Sequence, residues 1–539
     1  MFGREGYISM DNNVYEHIPA EQFEFQQLNA NIHDQKLQTK SRGYFADAMI
    51  RFKKNKSSVV AAWIILFLVV FSIISPLVSG YHIYDEKEDK KVIHTDTVYT
   101  KHPPFIPWIA EKNLGIFDGA VTHESQSEAQ VLAWKAIGME TGYNPYLREV
   151  EKTVQKEKYR GKWRDVTYYT IENNKYYERG MLYRTVSFAE FQRIQDFQNE
   201  TGIQVIYPYV HADDIEGIKD NPNIWYKVKD AKGTPYTDSD GNLVPAYSTN
   251  QKLMTYKDKD DNTVEIKYDS LRIESDPGNY VYGHVKSGSI TVRICYYNYY
   301  QYVNGFEPSY IFGTNSMGQC LFTAIGVGAR FSLIFAIIVS AINLCIGAVY
   351  GAIQGYYGGW IDLLLDRISD ILSGVPFIVV ATLFQLHLAE KVGVVPSFIF
   401  AFILTGWLGM AALTRKQFYR FKGQEFVLAA RTLGASDWRL MFKHVFPNSL
   451  GTIVTSCALV IPNVISSETN LTYLGIINLQ ELFGTSIGVL MSQGQTAMTS
   501  APHAMLFPAL FISLLLISFN LFGNGLRDAF NPSTRGVED

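Results

Sequence analysis

Gln424-Glu-Phe-Val-Leu-Ala-Ala-Arg-Thr-Leu-Gly-Ala-Ser-Asp-Trp-Arg-Leu-Met-Phe-Lys-His-Val-Phe-Pro-Asn448 is a polar stretch between two apolar runs, and it predicts two short helices joined by a turn. The first helix, Glu425 to Leu433, contains no helix breaker. Gly434 can take a positive φ and so end this helix. Ser436 can cap the second helix, which we expect Pro447 to end because proline lacks the backbone N–H that a helix interior needs.

The second helix carries an apolar stripe. Its members follow the helical period at i, i+3, i+4 and i+7: Trp438, Met441, Phe442 and Val445. A stripe of this kind between two membrane spans is also typical of a helix that lies in the lipid interface. Spacing alone therefore leaves two interpretations open, a lipid-facing helix and a helix that contacts a partner.

The residue types favour the second interpretation. The stretch resembles the cytoplasmic Glu-Ala-Ala loop of binding-protein-dependent ABC importer permeases, most closely the form found in oligopeptide and dipeptide importers. The resemblance implies that the helix pair docks into a groove on a separate ATPase subunit and carries ATP-driven motion into the membrane. The residues expected to couple to the ATPase are Glu425, Ala429, Ala430, Arg431, Gly434, Ala435, Asp437, Trp438 and Pro447.

Composition adds little about partners. The chain has 539 residues, is 47% hydrophobic and carries a formal net charge of -4, which gives no indication of nucleic-acid binding. It contains four cysteines, and their spacing matches neither a metal site nor a disulfide framework. We therefore predict no metal site and no covalent cross-links.

The N-terminal part predicts a cytoplasmic tail and a membrane anchor. Residues 1–57 combine a polar tail with an amphipathic helix at Tyr44 to Phe52, which precedes a basic cluster. An uncharged run of 20 residues, Val59 to Val78, is long enough to cross a bilayer and places the first transmembrane helix at 58–80. A cleaved signal peptide is the competing interpretation, but 58 residues precede the run. The basic flank predicts a cytoplasmic N-terminus.

Residues 81–311 predict a large α+β extracytoplasmic domain inserted between the first and second spans. The segment from Tyr81 to Tyr310 holds 26 of the 34 tyrosines. We expect helices at Ser125 to Val154 and Ser187 to Thr201, and strands in the later part, including Ser289 to Val303. Asp238 and Asp240 before Gly241 are more typical of a hairpin turn than of a calcium loop. The abundant tyrosines fit either a contact surface or exposed strand faces.

The segment 312–530 predicts a permease core with five further transmembrane helices, followed by a cytoplasmic tail at 531–539. The spans are expected at Ser332 to Ile353, Ile371 to Leu388, Pro396 to Leu413, Leu450 to Val464 and Met505 to Phe522. Six spans return both termini to the cytoplasm, and the basic loop around Arg415 to Lys443 then lies inside. Four prolines predict kinks: Pro376, Pro396, Pro462 and Pro508.

Gly313 to Cys320 has the two glycines of a phosphate loop but lacks its lysine and serine or threonine, so we exclude nucleotide binding there. The stretch resembles the segment that precedes the second span in peptide-importer permeases, although Asn315, Gln319 and Cys320 replace charged residues of that pattern. The chain therefore binds no cofactor of its own, and the resemblance implies that ATP and magnesium bind to the partner ATPase subunits.

Four ionisable residues are candidates for a gate or pathway. Asp362, Asp366 and Asp370 share a helix face, with Arg367 close enough to pair with one of them. A solvated helix entry and a role in an inner gate both remain open for Asp362, Arg367 and Asp370. Glu468 follows the fifth span, where an ionisable group is a functional candidate if it lies at membrane depth and unimportant if it lies at the outer interface.

Taken together, the resemblance implies an α-helical protein of the bacterial cell membrane with six transmembrane helices of the type I ABC importer permease kind. The expected function is that of a permease subunit, not an enzyme, in an importer of oligopeptides or dipeptides. The expected partners are a second related permease, two cytoplasmic ATPases, an extracytoplasmic solute-binding protein, the peptide and the lipid bilayer. The alternatives are an importer of nickel or another small nutrient, and a membrane-anchored adhesion or sensor protein.

Overall fold

A computed structural model describes residues 44–85, 90–112, 114–210, 221–229, 234–249, 254–266, 271, 280–286, 288–477 and 485–530. The tails predicted at residues 1–40 and 531–539 lie outside these ranges. Within them, an N-terminal helix pair leads into an α+β unit at residues 81–310, here called the inserted domain, and a set of long helices follows.

The N-terminal pair consists of α1 (Tyr44–Lys54) and α2 (Lys56–Val78). Asn55 separates them and caps α2, because its side chain accepts a hydrogen bond from the Ser58 backbone N–H. Phe52 packs edge-on against Phe522 near the C-terminus, with ring centroids 5.4 Å apart. The predicted amphipathic helix and first span are both present, and the first lies against another helix of the protein.

The inserted domain is built from short antiparallel sheets and short helices. Its strands are β1 (His82–Asp85), β2 (Lys90–Ile93), β3 (Ala120–Ser127), β4 (Tyr146–Tyr159), β5 (Lys162–Asn174), β6 (Met181–Ser187), β7 (Ile206–Tyr207), β8 (Met254–Lys257), β9 (Thr263–Ile266), β10 (Gly283–Lys286) and β11 (Ser289–Cys295). Its helices are α3 (Pro107–Ala110), α4 (Glu128–Thr141), α5 (Lys175–Glu178), α6 (Phe188–Thr201) and α7 (Tyr296–Asn304). The two larger sheets have the strand orders β3-β5-β4 and β10-β11-β6, with β7 also paired to β11.

Two predictions within this domain are wrong in part. The helix predicted at Ser125 to Val154 ends at Thr141, where Gly142 takes a φ of 80°, and the chain continues as β4. Leu147, Val150 and Val154 imitate a helical period, but pairing with β5 supplies the backbone hydrogen bonds of a strand. The strand predicted at Ser289 to Val303 ends at Cys295 and gives way to α7. The helix predicted at Ser187 to Thr201 corresponds to α6.

Tyrosine forms much of the core of the inserted domain. Among the largest fully buried side chains are Tyr99, Tyr176, Tyr226, Tyr282, Tyr300 and Tyr310. The rings of Tyr81 and Tyr310 stack 4.6 Å apart, and those of Phe105 and Tyr176 stack 4.3 Å apart. Many tyrosines that could have marked a contact surface are therefore core residues.

Asp238 lies in a hairpin turn, as predicted. Its carboxylate accepts hydrogen bonds from the backbone N–H groups of Asp240, at 3.0 Å, and Asn242, at 2.8 Å. This arrangement is an Asx turn, in which a side chain mimics the backbone. No group of three His, Cys, Asp or Glu side chains that could hold a metal ion occurs within the described ranges.

The remaining helices form the core of the molecule. They are α8 (Leu321–Tyr357), α9 (Gly359–Ser373), α10 (Phe377–His387), α11 (Ala389–Val392), α12 (Val394–Gly406), α13 (Leu408–Phe421), α14 (Glu425–Thr432), α15 (Asp437–Arg439), α16 (Phe446–Tyr473), α17 (Ile487–Thr496) and α18 (His503–Phe530). A π-helical segment, Leu440–Val445, joins α15 to α16. Their buried apolar residues form a continuous cluster with Leu68 of α2.

The described residues contain five helices long and apolar enough to cross a membrane, or six if one bent pair counts as a single span. The five are Lys56–Val78, Leu321–Tyr357, Val394–Phe421, Asp437–Tyr473 and His503–Phe530. The bent pair is α9 and α10, which meet at 74°, so the span predicted at Ile371 to Leu388 is broken near Pro376, where a kink was predicted. Pro376 precedes α10 with extended backbone, and it has no N–H with which to continue α9.

The other three prolines at which a kink was predicted occupy two kinds of position in their helices. Pro462 and Pro508 lie inside α16 and α18. Pro396 lies in the first turn of α12, where its missing N–H leaves no hydrogen bond unmade. A kink is therefore not required at Pro396.

The Gly313–Cys320 loop attaches the inserted domain to the core. The Thr314 backbone N–H donates to the His102 carbonyl at 2.9 Å, and the Thr314 hydroxyl donates to the Tyr99 carbonyl at 2.6 Å. Gly318 has a φ of 75°, and a Cβ there would collide with the Asp96 backbone. The Asn315 amide donates to Gln319, at 3.0 Å, where the resembled pattern has charges. This contact is therefore a hydrogen bond between neutral amides.

Candidate functional site

The first helix of the predicted coupling pair, α14, ends in a Schellman motif. The Ala435 N–H donates to the Ala430 carbonyl at 3.1 Å, and the Gly434 N–H donates to the Arg431 carbonyl at 3.0 Å. Gly434 has a φ of 81°, which a residue with a Cβ adopts only at a cost. The prediction that Gly434 takes a positive φ and ends the helix is confirmed.

The second helix differs from the prediction in two ways. Ser436 occupies the N-cap position, but its side chain makes no capping hydrogen bond. Pro447 does not end the helix, because the π turn that brings the Phe446 N–H to the Met441 carbonyl lets Pro447 enter the first turn of α16. One continuous helical rod therefore runs from Asp437 at the turn to Tyr473 inside the core.

One face of the pair is buried and its turn is exposed. Val427, Leu440 and Val445 are completely buried, against a surface that includes Tyr356 and Phe418. The predicted stripe placed Trp438 in the buried face of the second helix, but Leu440 is buried there instead. The reason is that the π turn changes the helical register.

The turn itself presents large apolar side chains. The exposed fraction is 88% for Leu433 and 65% for Trp438. The Trp438 ring lies 4.1 Å from that of Phe442. Glu425, Ala429, Arg431 and Asp437 are also exposed, whereas Ala430 and Ala435 are half-buried. Adjacent exposed apolar side chains with a polar rim are typical of a protein contact surface.

A polar tether holds the pair on the end of α8. The Tyr356 hydroxyl donates to the Asp437 carboxylate at 2.6 Å and accepts from Arg431 at 3.2 Å. The Lys422 ammonium donates to the Gly355 carbonyl at 2.9 Å. Sequence reasoning missed Tyr356, since its partner Asp437 lies 81 residues away.

A second polar cluster joins α9 to α13. Arg415 bridges Asp362 and Asp366, each at 2.7 Å, and the Tyr419 hydroxyl also donates to Asp362. Asp362 is 8% exposed, so it is not a solvated residue at a helix entry. Arg367 and Asp370 pair with each other at 2.8 Å and are both exposed, which fits the solvated interpretation for those two.

Glu468 is completely buried between helices. Its carboxylate accepts a hydrogen bond from the Ser332 hydroxyl at 2.8 Å, and the hydroxyls of Thr469 and Thr472 each lie 3.4 Å from it. Burial inside the helix bundle does not decide between membrane depth and the outer interface, so both predictions for Glu468 stand. Glu468 does not line the cavity described next.

Between α8, α10, α12, α13 and α16 lies a cavity of about 440 Å³, here called the core cavity. Its lining residues are Asn343, Phe377, Phe402, Thr405, Gly406, Gly409, Met410, Leu413, Ser456, Val460, Asn463, Val464 and Ser467. The volume is that of a small-ligand site. Sequence reasoning missed this cavity, although asparagines within apolar spans were an available signal.

Comparisons with known proteins agree with this architecture. Residues 344–536 match the family described as binding-protein-dependent transport system inner membrane component. Residues 43–104 match the N-terminal TM domain of oligopeptide transport permease C. Residues 105–343, which include most of the inserted domain, lie outside both matches.

Permeases of peptide importers are among the relatives of this chain. The oligopeptide transport system permease protein OppC of Bacillus subtilis is 39% identical over 42% of this chain and 72% of its own length. The dipeptide transport system permease protein DppC of the same organism is 37% identical over 42% and 69%. OppC of Escherichia coli K12 is 36% identical over 42% and 74%. The solved inward-facing MetNI methionine ABC transporter is 14% identical over 39% of this chain and 96% of that chain, with a TM-score of 0.32.

The chain belongs to the family of binding-protein-dependent transport system inner membrane components, and it is a multi-pass α-helical protein of the bacterial membrane. Within that family its relatives are permeases of peptide importers, so it is a permease subunit of the peptide ABC importer type. The assignment predicted from Glu425 to Asp437 is confirmed. The alternatives of a nickel importer and of a membrane-anchored adhesion or sensor protein are not favoured.

Proposed function

We propose that this chain forms half of the passage of an ATP-driven importer of oligopeptides or dipeptides, and that a second related permease forms the other half. The substrate class is proposed because the relatives are oligopeptide and dipeptide transport permeases. Two cytoplasmic ATPases would bind ATP and magnesium and press on the α14–α15 turn. The chain itself would hydrolyse nothing.

One observation carries this proposal: the coupling pair lies in the chain directly between α13 and α16, two of the helices that line the core cavity. α13 contributes Gly409 and Leu413 to the cavity, and α16 contributes Ser456 and Asn463. The rod that begins at Asp437 reaches Asn463 after roughly 40 Å at the helical rise per residue. A displacement of the turn therefore moves two walls of the cavity.

ATP binding can shift the permease between two states only if the ATPases contact those states differently. The exposed side chains of Leu433 and Trp438 supply an apolar contact at the turn, and Glu425 and Arg431 supply charge. Gly434 sets the angle between the helices. The Tyr356 tether fixes the pair to α8, so that force at the turn reaches the membrane helices.

Orientation follows from charge. The segment from Arg415 to Lys443 is strongly basic, which favours the cytoplasmic side of the membrane. Both termini are then cytoplasmic, and residues 81–311 are extracytoplasmic beside the outer mouth. We propose that the inserted domain docks or retains the solute-binding protein that delivers the peptide. Many of its tyrosines are buried, so the support comes from position and from Val154 and Trp163, exposed on the β4–β5 hairpin at 62% and 67%.

Crosslinking tests the coupling site. Leu433→Cys, in the assembled complex, should crosslink to an ATPase subunit, and the crosslink yield should change between nucleotide-free and ATP-bound states. Met139→Cys is the matched control, because Met139 is 68% exposed but lies in the inserted domain. Labelling of Leu433→Cys by a membrane-impermeant thiol reagent from outside intact cells would contradict the proposal.

Binding measurements test the inserted domain. Val154→Ser with Trp163→Ser should weaken binding of the purified solute-binding protein and reduce uptake, while leaving the fold intact because both side chains are exposed. Replacement of residues 85–305 by a short linker is the larger test. Unchanged affinity and unchanged uptake in both variants would exclude a docking role.

A further inference from the structure

The core cavity is polar without being charged. Asn343, Thr405, Ser456, Asn463 and Ser467 contribute amide and hydroxyl groups, and the rest of the lining is apolar or glycine. Among the described residues that line it, none is Asp, Glu, Lys or Arg. The nearest buried carboxylate along α16, that of Glu468, is instead bound to hydroxyls outside the cavity.

Asn343 is the most unusual of these side chains. It is 2% exposed, and its Oδ1 atom has no hydrogen-bond partner among the described residues. Gly406 faces this amide across the helix contact, and a Cβ at that position would collide with the Asn343 Nδ2 atom. The glycine therefore leaves room for an amide whose oxygen has no partner in the described part of the chain.

A buried amide oxygen without a partner indicates a missing hydrogen-bond donor. Lipid acyl chains have no such groups. A peptide backbone offers one N–H and one C=O for each residue other than proline, whatever the side chain. A neutral polar cavity can therefore contact peptides of many sequences, whereas fixed charges would select among them.

We propose, on the basis of the proposed function, that the core cavity is a transient binding site for the peptide backbone and that Asn343 is its principal hydrogen-bonding group. Recognition is then independent of peptide side chains. Gly409 lies on the same wall, and a Cβ there would meet nothing within 4 Å, so this position opens directly onto the bound peptide. The walls move with the coupling pair, which releases the peptide when the cavity changes shape.

The first test compares two asparagines in the reconstituted complex. Asn343→Leu keeps the side-chain size and removes the amide, and we expect about a tenfold slower uptake of trialanine, the loss typical of one buried hydrogen bond. Asn520→Leu is the matched control, because Asn520 is exposed on α18 and does not line the cavity. Uptake by this control should match the unaltered complex.

The second probe is trialanine methylated on its backbone nitrogens, which has lost its internal N–H groups. The unaltered complex should transport it more slowly than trialanine, after correction for its measured affinity for the solute-binding protein. In Asn343→Leu the difference between the two peptides should shrink. A merely structural role of Asn343 would slow both peptides equally, and that result would overturn the proposal.

A labelling experiment tests the binding site independently, in case Asn343→Leu fails to fold. In a background with Cys345→Ser and Cys457→Ser, Gly409→Cys should react with N-bromoacetyl-trialanine during ATP-driven turnover, and Leu404→Cys, outside the cavity, should not. Absence of labelling, or crosslinking of Gly409→Cys only to the second permease, would overturn the proposed binding site. Peptide uptake by the unaltered complex would in that case still support the proposed function. Failure of the unaltered complex to import any peptide would overturn both.

Discussion

Arg293 of the inserted domain and Asn343 of the helical core are two buried polar groups in opposite situations. Arg293 is completely buried and makes two hydrogen bonds of 2.6 Å to the Glu140 carboxylate, plus one of 2.7 Å to the Pro222 carbonyl. Asn343 is buried with no partner for its Oδ1 among the residues that the structure describes, and the Tyr356 hydroxyl of the same helix bridges to a separate helix pair.

This difference indicates which part of the molecule can rearrange more easily. A buried ion pair that is fully satisfied inside one domain resists rearrangement, because separating it leaves an uncompensated charge. Contacts that bridge separate helices, or that leave a group open to a ligand, can exchange at smaller cost. We therefore expect the inserted domain to act as a rigid platform and the core to be the part that changes shape.

The largest expected effect comes from breaking the domain's ion pair. Arg293→Met should lower the free energy of unfolding of the inserted domain by about 3–5 kcal/mol, because Glu140 stays buried without its partner. Chemical denaturation followed by limited proteolysis of residues 81–310 would measure this. Arg148→Met, which removes an exposed pair with Glu172, is the control and should change stability little. Equal effects of the two variants would show that the domain is not the rigid part.

Gly434→Ala tests the turn of the coupling pair. A left-handed conformation costs a residue with a Cβ about 1–2 kcal/mol, so we expect the turn to shift and uptake per ATP hydrolysed to fall. Gly423→Ala is the control, because neither glycine has atoms within 4 Å of its Cβ position but only Gly434 has a positive φ. Uptake and ATPase rates in proteoliposomes measure the ratio. Normal coupling in Gly434→Ala would place the moving contact elsewhere.

Tyr356→Phe sharpens the comparison by removing only the hydroxyl of the tether. The loss of its hydrogen bonds to Asp437 and Arg431 should weaken the attachment of the pair to α8 by about 1 kcal/mol. ATPase activity should continue while uptake falls. Tyr357→Phe is the neighbouring control, since Tyr357 is 47% exposed. If both variants transport normally, the tether does not carry force.

The smallest effect concerns acid stability of the platform. Burial lowers the pKa of His102 to about 3, and the nearby Lys175 cation adds to the effect. A histidine whose pKa is lowered on folding binds protons mainly in the unfolded state, so stability is lost as pH falls below the ordinary value near 6.5. Between pH 7.5 and 5.5 we expect a loss of about 1 kcal/mol in the free energy of unfolding. Thermal unfolding of the protein and of His102→Gln measures it, and an identical pH dependence of both would contradict this cause.

Much of the coupling site was predictable because its signals are local. Gly434 ends α14 through hydrogen bonds to residues at most five positions away. By contrast, the Arg415–Asp366 contact joins residues 49 apart in sequence, and the Tyr356–Asp437 contact joins residues 81 apart. Neither could be read from spacing, since the first depends on how α9 packs against α13 and the second on how α15 packs against α8.

The sequence by itself determined the family, the first span, the stop at Gly434 and the basic character of the segment around it. These features depend on apolar run length, local turn chemistry and charge, which neighbouring residues encode. Only the tertiary structure decided that Pro447 continues a rod, that β4 is a strand, that tyrosines fill the domain core and that Asn343 faces a cavity. Each of these depends on backbone and side-chain partners far away in the chain, whose positions are fixed by packing and not by local propensity.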